Sequence, residues 1–188
     1  MTQDVQIRLA QPSDKEAISQ VIAAAFGEEV STILGLVTQL MADPTAQPSL
    51  SLVATVGTEA GEGIVGYVLF SNAWFEGGDR SESIALLAPL CVHPNYQRQG
   101  IGGRLIEDGI QRLIASGTEL IFVLGHPSYY PRYRFSPALR QGFEPTYPLL
   151  PKNENAWMVR ELKAGAADVL SGKVICADAL HSTQHWRE

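Results

Sequence analysis

At 188 residues, 45% of them hydrophobic and 18% charged, the chain is long enough to fill one hydrophobic core and short for two. A formal net charge of −6, with no Lys/Arg run and no interleaving of basic and aromatic residues, argues against a nucleic-acid binder and weakly suits a cationic substrate. No apolar run reaches the ~18 residues of a membrane span, the start reads as no signal peptide, and the distant Cys91 and Cys176 form no metal motif, so the expectation is a cytoplasmic protein with no metal and no membrane partner.

Residues 5–10 alternate as a first strand, and Ser13-Asp14-Lys15-Glu16 reads as a capping box opening a helix whose apolar face is Ile18, Val21, Ile22, Ala25 and Phe26. A second helix carries Val30, Ile33, Leu34, Val37, Leu40 and Met41 at helical spacing and stops at Asp43-Pro44. The stretch after Pro48 reads as a strand, turned by residues 58–63 into a second. Gly77-Gly78-Asp79 then leads to a third strand ending at Val92.

That third strand ends at His93-Pro94, and Gln97-Arg98-Gln99-Gly100-Ile101-Gly102-Gly103 then opens a helix that buries Leu105, Ile110, Leu113 and Ile114. Glycines between a strand and a helix start let backbone amides crowd around an anion at the positive helix end, with Arg98 adding a full charge. The dinucleotide pattern G-x-G-x-x-G and the P-loop pattern ending in G-K-[ST] are both absent from this turn. Residues 121–135, IFVLGHPSYYPRYRF, read as a short buried strand, a turn at Gly125-His126-Pro127 and an aromatic-rich stretch. Prolines 137, 145, 148 and 151 make 136–155 an ordered loop rather than helix or central strand; AWMVRELK follows as a strand, and scattered apolar residues continue to the end.

The order V-x-P-x-x-Q-x-x-G-x-G before a helix resembles the cofactor motif of the GNAT superfamily of N-acetyltransferases. The segment V-L-G-x-P-x-Y-Y-x-R-x-x-F and the tail L-x-x-G-A-x-x-x-L-x-G-x-V look like its YhbS-like branch. The resemblance implies an α/β acyl-CoA N-acyltransferase fold: a mixed, mostly antiparallel sheet with helices on both faces and one parallel strand pair splayed apart. It implies a GNAT domain over 1–163 with a C-terminal extension, 164–188, packed on it. It implies acetyl-CoA as co-substrate, with Leu90, Cys91 and Val92 aligning its pantetheine arm and Gln97, Arg98, Gln99, Gly100, Ile101, Gly102 and Gly103 binding its pyrophosphate. Aligned on Phe135, Tyr130 takes the place of the tyrosine that protonates the leaving thiolate. A phenol near pKa ~10 can supply that proton to a thiol near ~8.5.

The sequence departs from the family where Arg134 stands in place of the usual glycine, and where a helix-starting asparagine is absent, with His126 and Ser128 nearest. The strand at 84–92 also lacks the carboxylate that the family often carries there. This leaves Glu28, Glu29, Glu76, Asp79 and Glu82 as candidates for receiving the proton of the attacking amine. Cys91 at the strand end could instead accept an acetyl group covalently, against the simpler reading of a buried core thiol. The implied function is acetyl transfer from acetyl-CoA to a primary amine of a small molecule or peptide. The alternatives are another acyl-CoA donor or a non-catalytic acyl-CoA-binding regulator. The acceptor site is expected around Glu28, Trp74 and Tyr147, and a homodimer is the default assembly.

Overall fold

A computed structural model of the chain describes residues 4–59, 61–78 and 80–186. The elements follow in the order β1 (Val5–Leu9), α1 (Lys15–Phe26), α2 (Val30–Ala42), β2 (Leu50–Thr58), β3 (Gly61–Phe75), β4 (Ile84–Val92), α3 (Ile101–Ala115) and β5 (Leu120–Leu124). After them come β6 (Ser136–Pro137), β7 (Phe143–Glu144), β8 (Trp157–Glu161), α4 (Ala166–Val169) and β9 (Gly172–Cys176). The sheet runs β1-β2-β3-β4-β5-β8-β6, antiparallel except between β4 and β5, with β9 pairing both β3 and, in parallel, β7.

Two apolar clusters cover the two faces of this sheet. Ile18, Val21 and Ile22 of α1 and Leu36 and Leu40 of α2 pack with Val53, Tyr67, Leu69, Leu86 and Phe122 on one side. On the other, Ile101, Leu105, Ile106 and Ile110 of α3 pack with Leu52, Val68, Phe70 and Leu87. Each fully buried Leu, Ile or Phe of this kind contributes about 1.5–3 kcal/mol. Gly109 lets α3 settle directly onto the Phe70 ring, where a β-carbon would collide with the aromatic edge.

β4 and β5 pair only at Ile84↔Leu120, Ala85↔Ile121 and Leu86↔Phe122. Beyond that point β4 carries a bulge: Phe70 faces Leu87 while Val68 already faces Leu90, so β4 spends one residue more than β3. The side chains register the slip. Leu86 and Ala88 point toward α1 and α2, yet Leu90 points with Leu87 toward α3, where strict alternation would have reversed it. Pro89 lies in the bulge and has no N–H to give to a ladder. The expected splayed parallel pair is therefore present.

Local expectations are corrected at several places. The box at Ser13-Asp14-Lys15-Glu16 does not form as read; a 3-10 turn at Pro12–Asp14 precedes α1, and Asp14 accepts the Gln11 amide (2.7 Å) while pairing with Arg8 (2.7 and 3.0 Å). The reciprocal box forms two residues earlier instead, between Gln11 and Asp14. On α2 the buried stripe is Leu36 and Leu40, four residues apart, and Met41, one helical step past Leu40, is 55% exposed. Ile114, one helical step past the buried Leu113, is 43% exposed.

Residues 136–155, expected as loop, contribute two short strands, β6 on β8 and β7 on β9, with Pro137 at a sheet edge where its missing donor is tolerated. The helical stretch Pro12–Ala42, taken through its turns, spans 31 residues and holds an 18-residue window of mean hydropathy 1.5. By length and composition it matches a membrane span after all, a test that a helix packed on a sheet also passes.

β3 is long enough to serve two partners along one edge. β2 pairs with it as far as Phe70, and β9 takes up the edge at Ala73–Phe75. The segment after β9 is latched by Asp43, whose Oδ2 accepts the Ala179 amide and whose Oδ1 accepts the Thr45 amide (each 2.8 Å), while Thr45 Oγ1 accepts the Asp178 amide (2.8 Å). Burial pushes the Asp43 carboxyl up, but these bonds outweigh it and hold it below the usual carboxylate range. Trp186 completes the docking: it is buried on Trp157 (centroids 5.8 Å) and donates its indole N–H to Leu180 O (3.0 Å).

Asp43→Ala is expected to raise amide hydrogen exchange across 178–186 at least tenfold, leaving β2 to β4 protected. Unchanged exchange in the tail would show that the latch is not what holds it. The Arg8 guanidinium likewise holds the Asp14 carboxyl below its ordinary value, so this pair stabilises fully above the unfolded carboxyl's pKa of about 3.9 and loses its effect as pH falls through the folded value. Asp14→Asn should cost about 1.5–3 kcal/mol at neutral pH and should weaken the dependence of stability on pH in acid denaturation below about pH 4.

Candidate functional site

The glycine-rich turn is built so that its polar backbone faces outward. His93 N donates to Val65 O (2.8 Å) and Gln97 Nε2 donates to Val92 O (3.0 Å), fixing the exit of β4 and the entry of the turn. Arg98 at φ 61° and Gly100 at φ 79° are both left-handed, which reverses the chain into α3. The first helical bond runs from Arg104 N to Gly100 O (3.0 Å), so the amides of Ile101, Gly102 and Gly103 precede the ladder at the positive end of the helix. Amides so placed at a helix start are suited to receive an anion.

Over this helix start lies the aromatic turn at Tyr130–Tyr133. The Tyr129 hydroxyl sits against Gly102, and the Tyr133 hydroxyl would lie 2.6 Å from a β-carbon at Gly103, so both positions need glycine for the turn to approach. Burial, and then a hydrogen bond with Tyr133, push the Tyr129 phenol above its ordinary pKa, keeping it protonated. Tyr130 is buried, packs edge-on against Tyr129 (5.2 Å) and Phe135 (5.6 Å), and lies so closely over Gly125 that no β-carbon fits there. Arg160, 8% exposed, ties the turn down by donating to Tyr133 O (2.9 Å) and to Glu107 of α3 (2.9 Å). Arg134 adopts φ 62°, the conformation a glycine takes with least strain, so the chain path survives the substitution. His126 Nδ1 and Ser128 Oγ, the polar groups nearest the turn's start, bond to each other (2.9 Å).

These parts meet in one cleft of about 1250 Å³ that passes through the divergence of β4 and β5. Leu90, Cys91, Val92, Gln97, Arg98, Gly100, Ile101, Gly102 and Tyr130, all anticipated from sequence, line it. Gln99 and Gly103 do not: Gln99 Nε2 turns back to Asn95 O (3.3 Å), and Gly103 lies under Tyr133. Burial pushes the Cys91 thiol up to about 12, which leaves almost no thiolate at neutral pH and makes an acyl-cysteine route unfavourable.

Of the candidate carboxylates only Glu29 lines the cleft, among the described residues. Glu76 instead approaches Lys173 (3.5 Å), Glu28 and Glu82 lie off the wall, and Asp79 falls outside the described residues. The expected acceptor residues Trp74 and Tyr147 are also off the wall: Trp74 stacks under Arg80 (4.1 Å), and Tyr147 sits behind Trp186 (6.2 Å). The far wall comes instead from Phe26, Ile33 and Leu36 and from Leu180, Gln184, His185 and Trp186 of the tail. Nothing in the tail's sequence announces this; only the pairing of β9 with β3 brings it there. Among the described residues no group of three or more His, Cys, Asp or Glu could hold a metal ion.

The sequence pattern of the acetyltransferase (GNAT) family matches residues 16–135. YjhQ of Escherichia coli strain K12, named an uncharacterized N-acetyltransferase, is 41% identical over 167 residues, 88% of either chain. The crystal structure of the GNAT family N-acetyltransferase YhbS from Escherichia coli in complex with CoA superposes with a TM-score of 0.83 at 27% identity, covering 97% of this chain and 94% of that one. A GNAT family acetyltransferase from Brucella melitensis in complex with acetyl-CoA gives 0.71 at 26% identity, covering 95% and 99%. The motif, the split sheet and these likenesses agree: the chain belongs to the GNAT family of acetyltransferases, in its YhbS-like branch.

Proposed function

We propose that the protein transfers the acetyl group of acetyl-CoA directly to a primary amine. The observation that carries this reading is the parting of β4 and β5 beside an α-helix start whose first amides are unengaged by the helix, with Tyr130 on the wall of the same opening. The exposed edge of β4 at Leu90 to Val92 can pair with the amides of an extended pantetheine arm, as a strand would. The turn from Gln97 to Gly103 takes the pyrophosphate, its amides and Arg98 neutralising the charge. Bound there, acetyl-CoA supplies an activated thioester.

The balance of the reaction defines what the residues must do. The amine nitrogen forms a bond to the acetyl carbon, the carbon–sulfur bond breaks, the sulfur leaves as a thiol, and the ammonium form of the acceptor gives up two protons, one of them in excess. Tyr130 gives the sulfur its proton, acting as general acid against developing thiolate charge. One amine proton restores Tyr130, and the other, in excess, leaves toward the far wall, where Glu29 lines the cleft. Burial lowers the His185 pKa from its ordinary value, which disfavours the imidazolium, so His185 adds no cation to that wall. Titration of the protein with acetyl-CoA in a thermal-shift experiment tests the cofactor half of this reading; absence of any stabilisation would remove it.

Tyr130→Phe is expected to bind acetyl-CoA as the parent does and to release free thiol about 100- to 10,000-fold more slowly with a working amine. Tyr129→Phe, whose hydroxyl borders Gly102, is expected to change acetyl-CoA affinity more than turnover. An unchanged rate in Tyr130→Phe would reassign the proton donor.

A further inference from the structure

The cleft has two electrically different ends. On the α3 side are Arg98, Arg132 and the helix-start amides. On the opposite face the one carboxylate lining it, among the described residues, is Glu29, at the junction of α1 and α2. Glu29 forms no ion pair or hydrogen bond among the described residues, so its charge is uncommitted. The wall on this face is mostly apolar, with Phe26, Ile33 and Leu36 from the helices and Leu180 and Trp186 from the tail, and Thr32, Gln184 and His185 as its polar members. Trp186, 4% exposed, has its indole N–H already given to Leu180 O (3.0 Å) and adds only the edge of a buried ring to the wall, with no donor.

Resting on the acetyl-transfer reading above, we propose that the acceptor is a monoamine carried on an apolar, ring-sized body, its ammonium held at Glu29 and its body laid against Phe26, Ile33 and Trp186. A single carboxylate balances a single ammonium. A polyamine or an aminoglycoside would bring further cations with no second carboxylate lining the cleft among the described residues, and each unpaired charge taken out of water is costly. His185 adds no competing charge, since its burial favours the neutral ring. A peptide would bring several backbone N–H and C=O groups to a wall whose side-chain partners are Thr32, Gln184 and His185, at about 1–3 kcal/mol for each group left unpaired. Burying a ring-sized apolar body against these walls gains about 25 cal/mol per Å². That gain supplies what a single ion pair, partly open to water, cannot.

The test compares 2-phenylethylamine and tryptamine with spermidine, neamine and a glycine-rich tripeptide as acceptors in free-thiol release. Calorimetry of acetyl-CoA on every protein runs in parallel, with calorimetry of 2-phenylethylamine on the CoA-saturated protein. The expected result is a kcat/KM for the aryl amines at least tenfold above the rest. Glu29→Gln should raise KM and the calorimetric Kd for 2-phenylethylamine about tenfold or more with acetyl-CoA affinity unchanged, and Glu29→Asp should restore part of the loss. Failure of the parent protein to bind acetyl-CoA would sink the acetyl-transfer reading itself. With acetyl-CoA bound, preference for spermidine, neamine or the peptide, turnover of none of the panel, or an unaltered KM in Glu29→Gln would each overturn the acceptor assignment alone.

Discussion

Beyond Leu86 and Phe122 the facing edges of β4 and β5 stop pairing, although both strands continue, β4 to Val92 along β3 and β5 to Leu124 along β8. A sheet interior ordinarily satisfies every amide and carbonyl, so a gap at its centre is costly unless something fills it. Here the gap is imposed from within the strand. The extra residue around Ala88-Pro89 throws β4 out of step, and Pro89 has no hydrogen to offer. Two apolar clusters hold the sheet rigid on either side, so the opening cannot simply close. Every other functional feature is arranged around that fixed slot.

The two faces contribute unlike chemistry because different kinds of element border the slot. On one face an α-helix begins there, and its unengaged amides and the left-handed Arg98 and Gly100 make a cationic mouth. On the other, α1 turns into α2 through a 3-10 turn that leaves Glu29 and Phe26 at the wall. The aromatic turn bridges the slot, and Arg160 fixes it by binding Tyr133 O and Glu107 at once, so its tyrosines stand on a sheet-anchored guanidinium rather than on a free loop.

The cofactor side of this arrangement was legible in the sequence because it is local. Strand, turn and helix are contiguous from Ile84 to Ala115, and the glycines that permit close approach sit within that run. Helix phase was harder to read. In α2 apolar residues lie nearly all round, so spacing alone did not separate Leu36 and Leu40, which are buried, from Met41, which turns outward. The pairing of Asp14 was not legible because its partner Arg8 lies on another element. The far wall was not legible, since it depends on β9 finding the part of β3 that β2 leaves bare, a pairing between residues about a hundred positions apart.

That borrowed edge has an evolutionary consequence. The tail reaches the cleft by one short strand pairing and an aspartate clasp, and none of its residues belongs to the slot, the anion mouth or the tyrosine turn. Mutational drift at Gln184 and His185, which lie outside the core, can therefore alter that wall while leaving the strand divergence and the helix start intact. In a lineage built this way, the choice of acceptor can diverge faster than the chemistry performed on it.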